Sequence, residues 1–142
     1  MTIKQVTVLI ENERGRLAET TRVLGESGID IRALSIADTT RFGVLRLIVD
    51  NPERAMEVLK AAGFSASLAE VVAIGVSDQP GGLATALAIL SDAGVSVEYM
   101  YAFVARIRDQ ANVILRVDDN TVATGVLAQA GFHLLSESDI SG

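Results

Sequence analysis

Asp78-Gln79-Pro80-Gly81-Gly82-Leu83-Ala84 stands between an apolar strand and a helix-like stretch with leucines at 83, 87 and 90. Sixty-six residues earlier, Asn12-Glu13-Arg14-Gly15-Arg16-Leu17-Ala18 repeats that grammar after Val6-Thr7-Val8-Leu9-Ile10. A strand that ends at a polar residue, turns through glycine and enters a helix leaves backbone N–H groups unpaired and pointing out of the turn. Each turn is therefore a small anion socket, and the chain has two.

The repeat extends well beyond the sockets. Gly81, Leu83, Leu90, Gly94 and Val97 follow Gly15, Leu17, Leu24, Gly28 and Ile31 by 66 residues. After the hairpin the offset is 68, pairing Val117-Asp118 with Val49-Asp50 and Gly131-Phe132 with Gly63-Phe64. Within the first copy, Val6 to Ile10 is β-branched and apolar on both faces, as a central strand is. Leu17, Thr21 and Leu24 fall at i, i+4 and i+7 and give a helix with one buried stripe, closed by Gly28. Ile29 to Ala37 and Phe42 to Val49 read as strands joined by the polar turn Asp38-Thr39-Thr40-Arg41. Asn51-Pro52 opens a second helix, Gly63 closes it, and Phe64 to Leu68 is the fourth strand.

The order β-α-β-β-α-β with right-handed crossovers predicts an α+β fold: a ferredoxin-like sandwich with strands in the order 4-1-3-2 and both helices on one face. The second strand is then an edge, which a tandem pair can cover by edge-to-edge pairing. Ile29 to Ala37 and Val95 to Val104 are the strands expected to meet. The expectation is two ferredoxin-like repeats side by side, one eight-stranded antiparallel sheet with four helices on one face, and domains 1–69 and 70–142. No Pro, Gly or Ser linker separates them between Phe64 and Val76.

Composition removes several functional classes. Eighteen acidic against twelve basic residues give a net charge of −6, which repels a phosphate backbone, so nucleic acid is not an expected partner. The absence of cysteine excludes disulfides, a thiolate nucleophile and cysteine metal sites. The N-terminus lacks a signal-peptide h-region, and no apolar run approaches the roughly 20 residues of a membrane helix. The expectation is a soluble cytoplasmic protein with no membrane partner. The lone His133 has no matched acid or serine, and neither clustered histidines nor cysteines offer a metal site. No cofactor and no catalytic residue are expected, and the chain is read as a non-enzyme.

Asn12-Glu13-Arg14-Gly15-Arg16-Leu17 with Gly28-Ile29-Asp30-Ile31, and Asp78-Gln79-Pro80-Gly81-Gly82-Leu83 with Gly94-Val95-Ser96-Val97, resemble the signature of ACT domains. The likeness covers nearly the whole chain, twice, in the stand-alone tandem form. It implies a regulatory module that binds an amino acid at the interface of two side-by-side domains. The ligand contacts it implies are Asn12, Glu13, Arg14, Gly15, Arg16 and Leu17 with Ser96 for one site, and Asp78, Gln79, Pro80, Gly81, Gly82 and Leu83 with Asp30 for the other. The ligand's carboxylate would take N–H groups at Gly15-Arg16-Leu17 or Gly81-Gly82-Leu83, and its ammonium carboxylate or amide oxygens. Ile10 and Val76 occupy positions where some amino-acid-binding members carry a polar contact. The alternative function is a ligand-free interaction module regulating a partner, such as a metabolic enzyme.

Plainer roles compete for the same residues. Asn12 and Asp78 also suit turns and N-caps, Asp30 and Ser96 suit solvated strand entries, and Arg14 and Arg16 suit a solvated surface. Tyr99, Tyr101 and Phe103 alternate along one strand as core or interface residues do. Four helices on one face leave the opposite face to solvent or another chain. With Leu45, Leu47 and Val49 facing the helices, Val44, Arg46, Ile48 and Asp50 fall on the back, with Asn112, Ile114, Arg116 and Asp118 in the second copy. Arg32, Leu34 and Ile36, matched by Glu98, Met100 and Ala102, are placed there too. This apolar and charged surface predicts a back-to-back homodimer.

Overall fold

The computed structural model describes residues 1–11, 13–38, 42–104 and 110–141. The polar hairpin turn at 39–41 and the expected contact Asn12 lie outside the described residues. The elements are β1 (Ile3–Glu11), α1 (Arg16–Glu26), β2 (Ile31–Asp38), β3 (Phe42–Val49), α2 (Pro52–Ala61), β4 (Ser65–Val76), α3 (Gly82–Asp92), β5 (Val97–Ala102), β6 (Ala111–Val117), α4 (Asn120–Gln129), β7 (His133–Leu134) and α5 (Glu137–Ser141). The chain divides into two compact units, Lys4–Ala69 and Glu70–Ile140, the second also holding Met1–Ile3.

In the first unit the strand order is β2-β3-β1-β4; in the second, β5 and β6 follow β4, and β7 pairs with β4 on its other side. Each is the 4-1-3-2 order expected of a ferredoxin-like unit. The count differs from expectation: seven strands and five helices are described, not eight and four. The missing strand was never separate. β4 runs unbroken for 12 residues, closing the first repeat with its beginning and opening the second with its end. The expected pairing of the two second strands is also corrected. Among the described residues β2 pairs with β3 and β5 with β6, and no pairing joins β2 to β5.

Each unit builds its own core from one face of its strands and the inner stripes of its helices. Val6, Val8, Leu45, Leu47 and Val49 meet Leu24, Ala55 and Leu59 in the first; Val72, Ile74 and Leu115 meet Ala86, Leu90 and Leu127 in the second. Each such fully buried Leu, Ile or Val removes enough apolar surface from water to contribute about 1.5–3 kcal/mol. Asn51 caps α2 by accepting from the Arg54 N–H at 3.2 Å, with Pro52 as its first residue, and Asp119 caps α4 through the Val122 N–H at 3.0 Å. Across the first unit, the Lys4 ammonium beside Glu53 holds that carboxyl below the ordinary glutamate range.

The back of the sheet departs from expectation in two ways. Ile48 and Ile114, expected there as exposed apolar residues, are 1% and 0% exposed, and both lie outside the helix-facing core clusters. In the second unit Ala73, Leu135 and Ile140 are buried outside that cluster too, and the Leu135 N–H donates to the Ala73 carbonyl at 2.8 Å. That bond continues the β7–β4 ladder by one residue.

The second departure is one of register. Ile31 pairs with Val49 but Ala33 with Ile48, so β2 carries one extra residue, and beyond it Leu34 and Ile36 stand opposite Leu47 and Leu45. Opposed residues share a face, so Leu34 and Ile36 lie on the helix side, not the back. The second repeat has the same irregularity between Val97 and Tyr99, which puts Met100 and Ala102 opposite Leu115 and Val113 and leaves Tyr99 and Tyr101 on the back. A bulge reverses the alternation that a sequence pattern assumes to be continuous.

Candidate functional site

In the second unit, β4 ends at Val76 and the chain turns through Ser77 to Gly81 into α3. Gly81 is the N-cap at φ 88, ψ −8, a left-handed conformation that glycine adopts without a Cβ penalty, and no side chain caps the helix. The Gly82 N–H donates to the Gln79 carbonyl at 3.0 Å, while the Thr85 N–H and hydroxyl both donate to the Gly81 carbonyl at 3.1 Å. A Cβ at Gly82 would collide with the Ser77 carbonyl, so the strand end and the helix start can approach this closely only with glycine here. The result is a hollow of about 340 Å³ lined by Ser77, Gln79, Pro80, Gly81, Gly82 and Thr85. Leu83 and Ala84 occupy the first helical turn, where N–H groups have no intrahelical acceptor.

The first unit builds a related turn with different filling. Gly15 caps α1 at φ 85, ψ −8, again without a side-chain cap. The Arg16 N–H donates to the Glu13 carbonyl at 3.3 Å, and the Glu13 N–H to the Glu11 carbonyl at 2.7 Å. The place of Gly82 is taken by Arg16. Its guanidinium lies 2.8 Å from Glu19 and 4.5 Å from the centre of the Phe64 ring, so it is fixed to its own unit and not simply solvated. Arg14 is exposed, and Leu17 is 40% exposed.

Several expected contacts thus have altered roles. The N–H groups of Gly82 and Arg16, expected as carboxylate donors, are used within the turns, and Leu83 packs against the second core. N-capping falls to Gly15 and Gly81, so Asp78 is not an N-cap. Ser77 and Thr85 line the hollow and were not singled out, although Thr85 stands one helical turn after Gly81 and shares its face.

Asp30 and Ser96 open the second strands as expected, in matching frames. The Asp30 N–H donates to Asp50 Oδ1 at 3.0 Å and the Asp50 N–H returns to the Asp30 carbonyl at 3.1 Å; Ser96 and Asp118 do the same at 2.9 and 3.2 Å. Asp50 and Asp118 are the functional-looking residues that reading by motif missed, though the 68-residue repeat pairs them. The Asp30 carboxylate itself lies 3.3 Å from Arg32 Nε. Among the described residues, no three metal-capable side chains cluster, and no helix is long and apolar enough to cross a membrane.

The whole chain, residues 1–142, matches the sequence family described as an ACT domain pair. A solved protein from Bacteroides thetaiotaomicron is 39% identical, with a TM-score of 0.92 over 99% of this chain and 96% of that one. The regulatory subunit of aspartate kinase from Thermus thermophilus, in its ligand-free form, shares 18% identity and a TM-score of 0.63 over 90% and 91% of the two chains. That from Thermus flavus shares 17% and 0.60 over 89% and 91%. At those identities the kinase subunits speak for the fold alone. No curated protein matches the sequence.

Proposed function

Because this chain belongs to the ACT domain pair family, we propose that it is a non-catalytic regulatory module that binds an amino acid and passes that signal to a partner, a metabolic enzyme. The observation that carries the proposal is the hollow at Ser77 to Thr85, where a glycine-built turn opens onto the start of α3. A zwitterion suits it: the helix start favours the carboxylate, and the turn's own carbonyls have used the Gly82 and Thr85 donors, leaving the next N–H groups, Leu83 and Ala84, for the ligand. The first turn, holding Arg16 against Glu19, is the weaker of the two sockets. Asp30 and Ser96 stay in the proposal as candidate ligand contacts at the strand entries of their own units, and calorimetry of Asp30→Ala and Ser96→Ala tests each.

A thermal-shift panel of the twenty amino acids tests the reading. One or a few should raise the melting temperature, corresponding to about 2.7 kcal/mol at a hundredfold excess over the dissociation constant. The Thr85 hydroxyl gives its proton to Gly81 but can still accept from the ammonium, so Thr85→Val, which keeps the shape, should leave the unliganded melting temperature nearly unchanged and reduce the ligand-induced shift. A flat response to all twenty removes the proposal and leaves a ligand-free interaction module.

A homodimer belongs to the proposal as well, on ground different from the back face. Leu34 and Ile36, at 41% and 53% exposure, form an apolar strip on β2. Strips of this kind are commonly covered by another chain.

A further inference from the structure

We propose that the second repeat carries a second binding pocket, adjoining the first at Ser77, for a small neutral carboxamide, built by four differences that replace a largely apolar patch of the first repeat with a polar hollow. The two repeats match closely in register: Leu9 pairs with Val44 in the first, and Gly75 with Asn112 in the second. At this end of the sheet, however, Leu9, Phe42, Val44 and Ser65 of the first repeat are answered by Gly75, Gln110, Asn112 and His133. In the first unit Leu9 and Phe42 stand 47% and 45% exposed. In the second, a hollow of about 280 Å³ opens among Gly75, Ser77, Gln110, Phe132 and His133, with the turn after α4 closing it.

Gly75 is what makes room. A Cβ there would collide with the Gln110 amide oxygen and lie 3.4 Å from Asn112 Oδ1, so the missing side chain is the space into which the Gln110 amide folds. Asn112 is 4% exposed, and its amide nitrogen donates to the Gln110 carbonyl at 2.9 Å, which fixes the strand entry carrying Gln110. Gly75 is also in register with His133 across β4 and β7, which brings the imidazole to the same strand face. His133 Nε2 lies 3.5 Å from Asp139 Oδ2, an oxygen already accepting from the Ser136 N–H at 2.8 Å and the Ser136 hydroxyl at 3.1 Å. The ring thus stands at the pocket wall beside an Asp139 carboxylate that Ser136 has already engaged.

The chemistry of this lining selects its ligand. Gln110 supplies both an amide donor and an amide acceptor, Ser77 and His133 supply groups of either kind, and Phe132 supplies an apolar wall. Among the described residues no lysine or arginine lines the hollow, and Asp139 stands behind His133, so this part of the wall offers an anionic group an unfavourable charge. Among the described residues, the carboxylate a cation would find here, Asp139, is engaged by Ser136. A purely apolar group would leave the polar lining unpaired, at the cost of its desolvation. A planar carboxamide can offer a donor and an acceptor to Gln110 at once, and the hollow is at the small end of ligand pockets.

His133 is the only histidine in the chain, so its imidazole proton resonances report on this pocket without assignment ambiguity. The probes are propionamide and L-glutamine, with propionate and L-glutamate as their acid counterparts. Both amides should shift the His133 resonances saturably, and each acid should bind about tenfold or more weakly. Gln110→Ala should weaken the response to propionamide by about tenfold or more, and the pair Gly75→Leu with Gln110→Phe, which installs the first repeat's residues, should abolish it. Unmoved His133 signals with both amides, equal response to the acids, or a wild-type response from Gln110→Ala each overturns the proposal. Propionamide lacks an α-amino acid group, so its failure leaves the amino-acid reading of the Ser77 to Thr85 turn standing.

Discussion

Replacing Ile48 with aspartate should unfold the first unit. Ile48 is 1% exposed, so the variant loses the burial of a large aliphatic side chain and places a carboxylate where water cannot reach it. A buried charge without a compensating partner costs about 3–5 kcal/mol, a large part of the roughly 5–15 kcal/mol that holds a domain together. Urea denaturation followed by circular dichroism should show a midpoint collapsed towards zero denaturant. Leu34→Asp is the matched control: at 41% exposure the side chain stays in contact with water, and stability should fall by no more than about 1 kcal/mol. The same Leu34→Asp protein answers a second question by light scattering. A wild-type dimer reduced to half its mass by this change places the contact on the β2 strip, and a wild-type monomer ends the dimer proposal. A wild-type midpoint for Ile48→Asp would contradict the burial of that strand face.

Gly82→Ala should reverse the usual sign of a glycine-to-alanine change in a helix. Alanine ordinarily stabilises a helical position by about 1 kcal/mol over glycine. Here the new methyl group meets the Ser77 carbonyl, a backbone atom with no rotamer by which to retreat, so strand end and helix start must separate. Overpacking of this kind costs about 1–3 kcal/mol, which outweighs the propensity gain. Because the displaced atoms line the proposed ligand hollow, binding should be lost as well as stability, and calorimetry of the folded variant reads the two apart. The first repeat provides the comparison. Arg16→Ala creates no clash and removes only the pair with Glu19 and the stacking on Phe64, for a loss of about 1 kcal/mol. If Gly82→Ala is instead as stable as the parent, the close approach at Ser77 is wrong.

The fold was legible wherever side-chain period and punctuation agreed. Asn51-Pro52 marked the start of α2 because capping and ring geometry are local matters, and Leu45, Leu47 and Val49 named the core face of β3 because their alternation is unbroken. Legibility failed where one residue changes the meaning of those after it. The extra residue in β2 near Arg32 carried Leu34 and Ile36 to the opposite face, and nothing in Ile31-Arg32-Ala33-Leu34 announces a bulge. The fate of Ile48 was hidden for another reason: burial on the back of a sheet depends on what else lies there, and periodicity describes only one element at a time. In the candidate site, the glycines were visible because only they fit the turn. Ser77 and Thr85 were not, since small hydroxyl residues are common at strand ends and in first helical turns. The Gly75, Gln110 and His133 hollow could be suspected only by setting the two repeats against each other, position by position.

The unbroken course of β4 also limits how two such repeats can be fused. Ala66 packs against the first core, and Val72, Ile74 and Val76 belong to the second, all at even separations along one strand. A single residue inserted near Ala69 would keep the first repeat intact while presenting Ala73 and Gly75 to the second core in place of the valines and isoleucine. Two inserted residues would restore the parity. Tandem duplication without a linker is therefore partly a matter of parity: an odd insertion at this seam must be taken up as a bulge, as β2 and β5 each take up one residue, and an even one need not.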